Sequence, residues 1–207
     1  MGSLLNKKKN RKKINDKPKI QEEEKKEVKI SIKAIKLALL GDSAVGKTSI
    51  IQSFLNLEFA AEYMTNMWDE KFERKLCLKN GKEVKLILFD TAGQERFRSI
   101  ALKTAKSVHG VIIAFDVTDI NSFNNLEGWL QEIKEKCREG ISIFLFANKV
   151  DIEDRRKVSR EEIEAFAKAK DLEYFEISAK NKIGIDEGFS YIANKAYNKI
   201  MEIKEYI

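Results

Sequence analysis

The strongest chemical signal in the sequence is a glycine-rich run that fits G-x-x-x-x-G-K-[ST], namely Gly41-Asp42-Ser43-Ala44-Val45-Gly46-Lys47-Thr48. Its glycines let the backbone wrap closely around phosphate, and its successive N–H groups form an anion site at the positive end of a helix. The Lys47 ammonium is placed for the β- and γ-phosphates, and the Thr48 hydroxyl for Mg²⁺. The run therefore predicts a nucleotide phosphate site whose residues are Asp42, Ser43, Ala44, Val45, Gly46, Lys47, Thr48 and Ser49.

A second motif, Asp90-Thr91-Ala92-Gly93-Gln94-Glu95, follows an alternating run at 83–89. An acid at the carboxyl end of that strand would lie across from Thr48, where Asp90 can hold Mg²⁺ through water. Gly93 leaves room for its N–H to approach the γ-phosphate, and Gln94 can orient the attacking water. Gln94 and Lys47 are therefore the predicted catalytic residues for hydrolysis of a terminal phosphate.

A third pair of motifs predicts which base is bound. Asn148-Lys149-Val150-Asp151 follows the apolar run 141–147, and Ser178-Ala179-Lys180 follows 173–177. Guanine presents N1–H and a 2-amino group side by side, and one carboxylate, Asp151, can accept from both. Adenine lacks these paired donors, and a site built on such hydrogen bonds rejects the analogue without them. The predicted ligand is therefore GTP or GDP, with the base bound by Asn148, Lys149, Asp151, Ser178, Ala179 and Lys180.

The elements that must position these motifs alternate along the chain. Strands are predicted at 35–40, 110–116, 141–147 and 173–177, and helices at 47–56, 122–139, 159–170 and 184–204. Ser159 and Glu162 form a capping box at the start of the third helix. Two further strand-like runs, about 70–79 and 83–89, flank Asn80-Gly81, a strong hairpin signal. We therefore expect an α/β fold with a six-stranded, mostly parallel sheet, one antiparallel edge strand and helices on both faces.

Composition narrows the class of protein further. An apolar fraction of 43% argues against a wholly disordered chain, and no run approaches the roughly 18 uncharged apolar residues of a membrane span. Cys77 and Cys137 match no metal or redox spacing, which indicates a reducing compartment such as the cytosol. His109 is the single histidine and is interpreted as structural.

Positive charge is concentrated at the amino terminus. Residues 1–33 hold 12 Lys+Arg against 5 Asp+Glu, and the other 174 residues hold 27 against 28. We predict a basic, disordered arm at 1–33 and a folded domain at 34–207. The arm is interpreted as a solvated tail or as a segment attracted to anionic lipid, at about 1 kcal/mol per basic residue. Nucleic acid is not expected, since no aromatic residues interleave the lysines. Gly2 would permit myristoylation, although Asn6 replaces the usual hydroxyl residue.

These motifs, in this order, resemble the Ras superfamily of small GTPases, which has the three-layer P-loop NTPase fold, over residues 34 to about 200. The similarity is greatest to the Rab branch, on runs such as Arg96-Phe97-Arg98-Ser99-Ile100, Ser122-Phe123-Asn124-Asn125 and Trp129-Leu130. The resemblance implies a monomeric switch in vesicle trafficking, cytoplasmic or peripheral on the cytosolic face of a membrane. It also implies that Phe59 stacks on guanine. Residues 60–72 and 92–106 would meet activating proteins, exchange factors and effectors.

The first switch segment departs from the family pattern. The threonine that closes over Mg²⁺ and the γ-phosphate falls at Asn66, with Thr65 one residue earlier, so either is the predicted further metal ligand. This departure leaves two hypotheses: a GTP-hydrolysing switch, or a nucleotide-bound interaction module of the same fold that hydrolyses weakly. The intact segment from Asp90 to Gln94 favours the switch, because Gln94 has little purpose without hydrolysis.

Overall fold

Six strands form one sheet in the computed structural model, which describes residues 32, 34–56, 71–90, 107–137 and 139–205. The strands in chain order are β1 (Ala34–Leu40), β2 (Lys71–Cys77), β3 (Glu83–Phe89), β4 (Gly110–Asp116), β5 (Ser142–Asn148) and β6 (Glu173–Glu176). Their order across the sheet is β2-β3-β1-β4-β5-β6. Only β2 runs antiparallel, and it pairs with β3 at the edge of the sheet. The predicted fold class is confirmed.

The helices in the described part of the chain are α1 (Lys47–Phe54), α2 (Ile120–Asn124), α3 (Leu126–Lys136), α4 (Arg160–Lys170) and α5 (Ile185–Glu205). A short 3₁₀ turn lies at Glu153–Arg155. The capping box predicted at α4 is present, with the Ser159 side chain accepting from the Glu162 N–H and the Glu162 carboxylate accepting from the Ser159 N–H. None of the helices in the described residues could serve as a membrane span.

The single helix predicted at 122–139 is wrong, because the structure divides it into α2 and α3. Asp119 caps the earlier start of α2 by accepting from the Asn121 N–H, and α2 ends where α3 begins, at Asn125. Cys137 ends α3, since its backbone is extended with φ −99° and ψ 170°. Helical periodicity alone does not detect this junction, because the backbone of Asn125 itself stays helical.

The predicted hairpin is confirmed between β2 and β3. Gly81 adopts a φ of +77°, in the left-handed region that glycine reaches without a steric penalty. The Leu78 N–H donates to the Lys82 carbonyl at 2.9 Å, which closes the turn. The hairpin thereby places β3 between β2 and β1, with the end of β3 beside the end of β1.

Side chains alternate between the two faces of β1, as a strand period of two requires. One face contributes Ile35, Leu37 and Leu39 to a core shared with α1 and α5. The opposite face contributes Ala38 and Leu40 to a second core shared with α3 and α4. The sheet is therefore the middle of three layers. Ile32, which the sequence placed in the basic arm, is buried in the first core.

Candidate nucleotide-binding site

The predicted phosphate loop lies between β1 and α1, and two of its glycines are required by close approach. Gly41 has φ +133°, and a Cβ there would come within 2.1 Å of the Ala114 carbonyl oxygen. Gly46 has φ +95°, and a Cβ there would come within 2.6 Å of the Asn148 Nδ2. Both residues combine a left-handed backbone with no room for a side chain, so only glycine fits the loop at these points.

Lys47 carries a buried charge into this loop. Its side chain folds back so that Nζ donates to the carbonyl oxygens of Gly41 at 2.9 Å and Asp42 at 2.7 Å. Burial lowers the pKa of Lys47 to about 8, and the carboxylates of Asp90 and Asp42 act in the opposite direction. The site therefore offers a poorly solvated ammonium that an anionic ligand would stabilise in its charged form.

The two predicted metal ligands, Thr48 and Asp90, lie together at the amino end of α1 and just after the carboxyl end of β3. The Thr48 hydroxyl donates to Oδ2 of Asp90 at 2.5 Å. Hydroxyl and carboxylate oxygens are the ligand types that Mg²⁺ prefers, so the residues present fit this ion. The other residues predicted around the γ-phosphate or on the base, namely Phe59, Thr65, Asn66, Gly93 and Gln94, lie outside the described residues. The partner surface predicted at 92–106 lies outside them too, as does most of the one predicted at 60–72.

Asn148 joins the phosphate loop to the two base loops. It lies at the end of β5 and is 1% exposed. Its amide Nδ2 donates to the Val45 carbonyl at 2.9 Å, and its Oδ1 accepts from the Ala179 N–H at 3.1 Å. One side chain thus fixes the spacing between the loops after β1, β5 and β6. Its role in the structure is a bridge, in addition to the contact with the base that the motif predicts.

The predicted base-binding carboxylate is also held in place. The Ser178 hydroxyl donates to Oδ1 of Asp151 at 2.6 Å, and Ser178 Oγ accepts from the Asn181 N–H at 3.0 Å. Ser178 is fully buried, whereas Lys180 is exposed. The structure therefore brings the loop after β5 and the loop after β6 together around Asp151.

Lys149 has an acidic partner that the sequence analysis missed. Its Nζ lies 2.6 Å from Oδ2 of Asp116, at the end of β4, and donates to the Ala44 carbonyl at 2.9 Å. Oδ1 of Asp116 accepts from both the N–H and the hydroxyl of Thr118. Ala44 and Lys149 both have left-handed backbones, with φ +63° and +69°, a conformation that costs non-glycine residues about 1 kcal/mol or more. Because β4 neighbours β5 in the sheet, the position of Asp116 at the end of β4 was the sequence feature that could have predicted its contact with Lys149.

A network of ion pairs links residues that flank the two base loops in the sequence. Arg156, whose side chain is 9% exposed, lies 3.0 Å from Glu153 and 2.9 Å from Glu176. Arg160 lies 3.0 Å from each of the same two carboxylates. The hydrogen bond from Arg160, and to a smaller extent the one from Arg156, lowers the pKa of Glu153. The network connects the 3₁₀ turn after Asp151 to the end of β6.

Comparison with known proteins identifies the family. The family model for the Ras family matches residues 36–198. Ras-related protein Rab-13 of Rattus norvegicus is 40% identical over 158 residues, which are 76% of this chain and 77% of that protein. Ras-related protein RABD2c of Arabidopsis thaliana is 38% identical over 154 residues, 74% of this chain and 76% of that protein. Ras-related protein RabG2 of Dictyostelium discoideum is 37% identical over 166 residues, 80% of this chain and 84% of that protein. This chain therefore belongs to the Ras family and is a Rab-like small GTPase, a protein that binds guanine nucleotide and hydrolyses GTP.

Proposed function

We propose that this protein is a nucleotide-dependent molecular switch in vesicle and membrane trafficking, which binds GTP with Mg²⁺ and hydrolyses it slowly to GDP and phosphate. The observation that carries the proposal is the Asn148 bridge, because it sets the phosphate loop and the base loops at one edge of the sheet. A P-loop fold with this arrangement has its ligand crevice at the carboxyl ends of the strands.

The phosphates would be bound by the N–H groups of the loop after β1 together with Lys47. The buried ammonium already lies within that loop, on the Gly41 and Asp42 carbonyls, so little rearrangement is needed for it to meet a phosphate oxygen. Thr48 and Asp90 would hold Mg²⁺, which when bound neutralises negative charge that develops on the β- and γ-phosphate oxygens.

The base would be read by Asp151, which accepts from guanine N1–H and the 2-amino group. The Ser178 hydroxyl fixes this carboxylate by donating to Oδ1. Lys149, held by Asp116, would lie along the plane of the base, and the Ala179 N–H would donate to the guanine 6-oxygen.

Hydrolysis would depend on Gln94, which orients the attacking water. The first switch segment, 60–72, contains no arginine that could reach the phosphates from within the chain. We therefore expect slow turnover alone and about 10³–10⁵-fold acceleration by an activating protein that supplies an arginine. Activators, exchange factors and effectors would bind through residues 60–72 and 92–106.

The basic arm would add attraction to an anionic membrane surface, since its net charge of +7 lies within 33 residues. In this proposal the protein is a monomer that works in the cytoplasm or on the cytosolic face of a membrane. Nucleotide affinity should not depend on the arm, so removal of residues 1–33 should leave GDP binding unchanged.

Base specificity tests the nucleotide-binding part of the proposal. A fluorescent GDP analogue bound to the full chain should be displaced by GDP but not by ADP at about 10³-fold excess. Asp151→Ala should lose most of this discrimination. Asp154→Ala, an exposed acid three residues further along, is the matched control and should behave as the parent. Equal displacement by ADP and GDP would overturn the assignment of these loops to guanine.

A further inference from the structure

Two side chains, one at the α2–α3 junction and one in α3, hold the carboxylate of Asp42, the second residue of the phosphate loop. Oδ1 of Asp42 accepts from the Trp129 indole N–H at 2.8 Å, and Oδ2 accepts from the Asn125 amide at 2.6 Å. Asn125 is the residue where α2 ends and α3 begins, and Trp129 lies one turn further along α3. The motif analysis assigned no role to either residue beyond family resemblance.

Asp42 also positions Lys47, the lysine of the phosphate loop. The Asp42 main-chain carbonyl accepts from Lys47 Nζ at 2.7 Å. The main-chain carbonyl and the side chain of Asp42 are attached to the same Cα, so hydrogen bonds to the side chain limit how far the residue can rotate. The contacts with α3 therefore restrict the direction of a carbonyl that orients Lys47.

These contacts also place a negative charge. An aspartate in a loop that binds phosphate would repel the ligand if its carboxylate turned toward the site. The Trp129 and Asn125 donors each engage one carboxylate oxygen, and such charge-assisted hydrogen bonds are stronger than neutral ones. They fix the carboxylate against the helix rather than leaving it to rotate in the loop.

The anchor on the helix is itself well fixed. Trp129 is 4% exposed and packs in the second core with Leu126, Leu130 and Ile133. Glu127, on the same helix, forms an ion pair with Lys170 of α4 at 2.7 Å. A loop residue bonded to Trp129 is therefore bonded to the packed body of the domain.

We propose that Asp42, Asn125 and Trp129 form a positioning latch, which holds the amino end of the phosphate loop against α3 and slows the release of bound guanine nucleotide. The inference rests on the proposed nucleotide-binding function of this loop. It adds α3 to the elements that determine how long nucleotide stays bound.

Trp129→Phe tests the latch because it keeps an aromatic ring in the core and removes the N–H donor. Release of a fluorescent GDP analogue in Mg²⁺ should become about tenfold faster, the size of effect expected for one hydrogen bond to a charged group. Leu130→Val, at the next residue, is the control. It should lower the melting temperature through lost core packing and leave the release rate unchanged.

An exchange of the two polar partners separates positioning from general stability. Asp42→Asn alone replaces the charge-assisted hydrogen bonds from Trp129 and Asn125 with weaker neutral ones and should speed release. Combining it with Asn125→Asp restores one amide donor facing one carboxylate, and leaves an oxygen to accept from Trp129. The double variant should return to within about twofold of the parental rate.

The outcomes separate the latch from the function on which it rests. If the parent binds GDP in a one-to-one ratio and Trp129→Phe and Asp42→Asn both release it at the parental rate, the latch is refuted and the nucleotide site stands. Equal acceleration by Leu130→Val, or no recovery in the double variant, would also refute it, because loosening of α3 would then explain the effect. Failure of the parent to bind GDP would refute the proposed function itself.

Discussion

Replacing Asn148 with alanine would remove a side chain that joins the phosphate loop to the base loop after β6. The substitution deletes an amide donor to the Val45 carbonyl and an acceptor for the Ala179 N–H. Neither backbone group can turn to bulk water, since Val45 is 1% exposed and Ala179 is 5% exposed. The loops would keep their sequences and lose their common support.

The expected size of the effect follows from these two orphaned groups. A buried donor or acceptor left unsatisfied costs about 1–3 kcal/mol, so Asn148→Ala should cost about 2–6 kcal/mol in total. This cost is divided between the free energy of unfolding and the affinity for GDP, because the nucleotide holds the same loops together. If only about 1.4 kcal/mol falls on affinity, GDP binding weakens about tenfold.

Two measurements on the full chain check this prediction. Dissociation of a fluorescent GDP analogue should be at least about tenfold faster in Asn148→Ala, and the melting temperature at saturating GDP should fall. Asn198→Ala is the matched control, because it removes the same amide from an exposed position on α5. Parental values for both quantities in Asn148→Ala would refute the idea that this side chain couples the loops.

Three further predictions follow from the site. Gly46→Ala should speed GDP release, since its Cβ would meet the bridging amide at 2.6 Å; Gly81→Ala, which has a positive φ but open space around it, should lower only the melting temperature. Asp116→Asn should speed release of GDP and GTP by the same several-fold factor, because Lys149 loses its ion pair; a change in the GDP-to-GTP affinity ratio would contradict this. Glu153→Gln should lower the melting temperature at pH 7, and the difference from the parent should shrink as pH falls. The pKa of Glu153 is lowered in the folded state, so its stabilising charge is fully present above the ordinary Glu pKa and is lost as pH falls through the folded-state pKa. A difference in melting temperature that grows in acid would show that the ion pairs of Glu153 do not stabilise the fold.

The architecture could be predicted because the local patterns agreed with one another along the chain. Short apolar runs that end in glycine or a polar motif favour buried strands, and Asn80-Gly81 between two strand-like runs favours a hairpin. The phosphate and base motifs were expected to lie close together, because the carboxyl ends of parallel strands lie at one edge of the sheet. Ser159 and Glu162 located the start of α4 to the residue.

The support around the site could not be predicted in the same way. Asp42 meets Trp129 only because the sheet order places β4 between β1 and the base-binding strand β5, with α3 covering that face. Asp116 reaches Lys149 for the same reason, as β4 and β5 pair from Gly110 to Asp116. The division of the predicted helix at Asn125 was missed because the backbone of Asn125 stays helical, so the helical periodicity continues across the junction. Periodicity reports which face of an element is buried, and it does not report which distant side chain that face will meet.

The most direct test of the proposed switch is single-turnover phosphate release from GTP-loaded protein in Mg²⁺, measured beside Gln94→Leu. The parent should release phosphate slowly, at about 10⁻⁴ to 10⁻³ per second, as expected for a family member without an activating arginine. Gln94→Leu should release it more slowly still, because leucine cannot orient the attacking water, and it should keep GTP bound. No release from either protein, with intact GTP recovered at the end, would contradict the switch and favour a nucleotide-bound interaction module, with Asn66→Thr as the variant that asks whether hydrolysis can be restored.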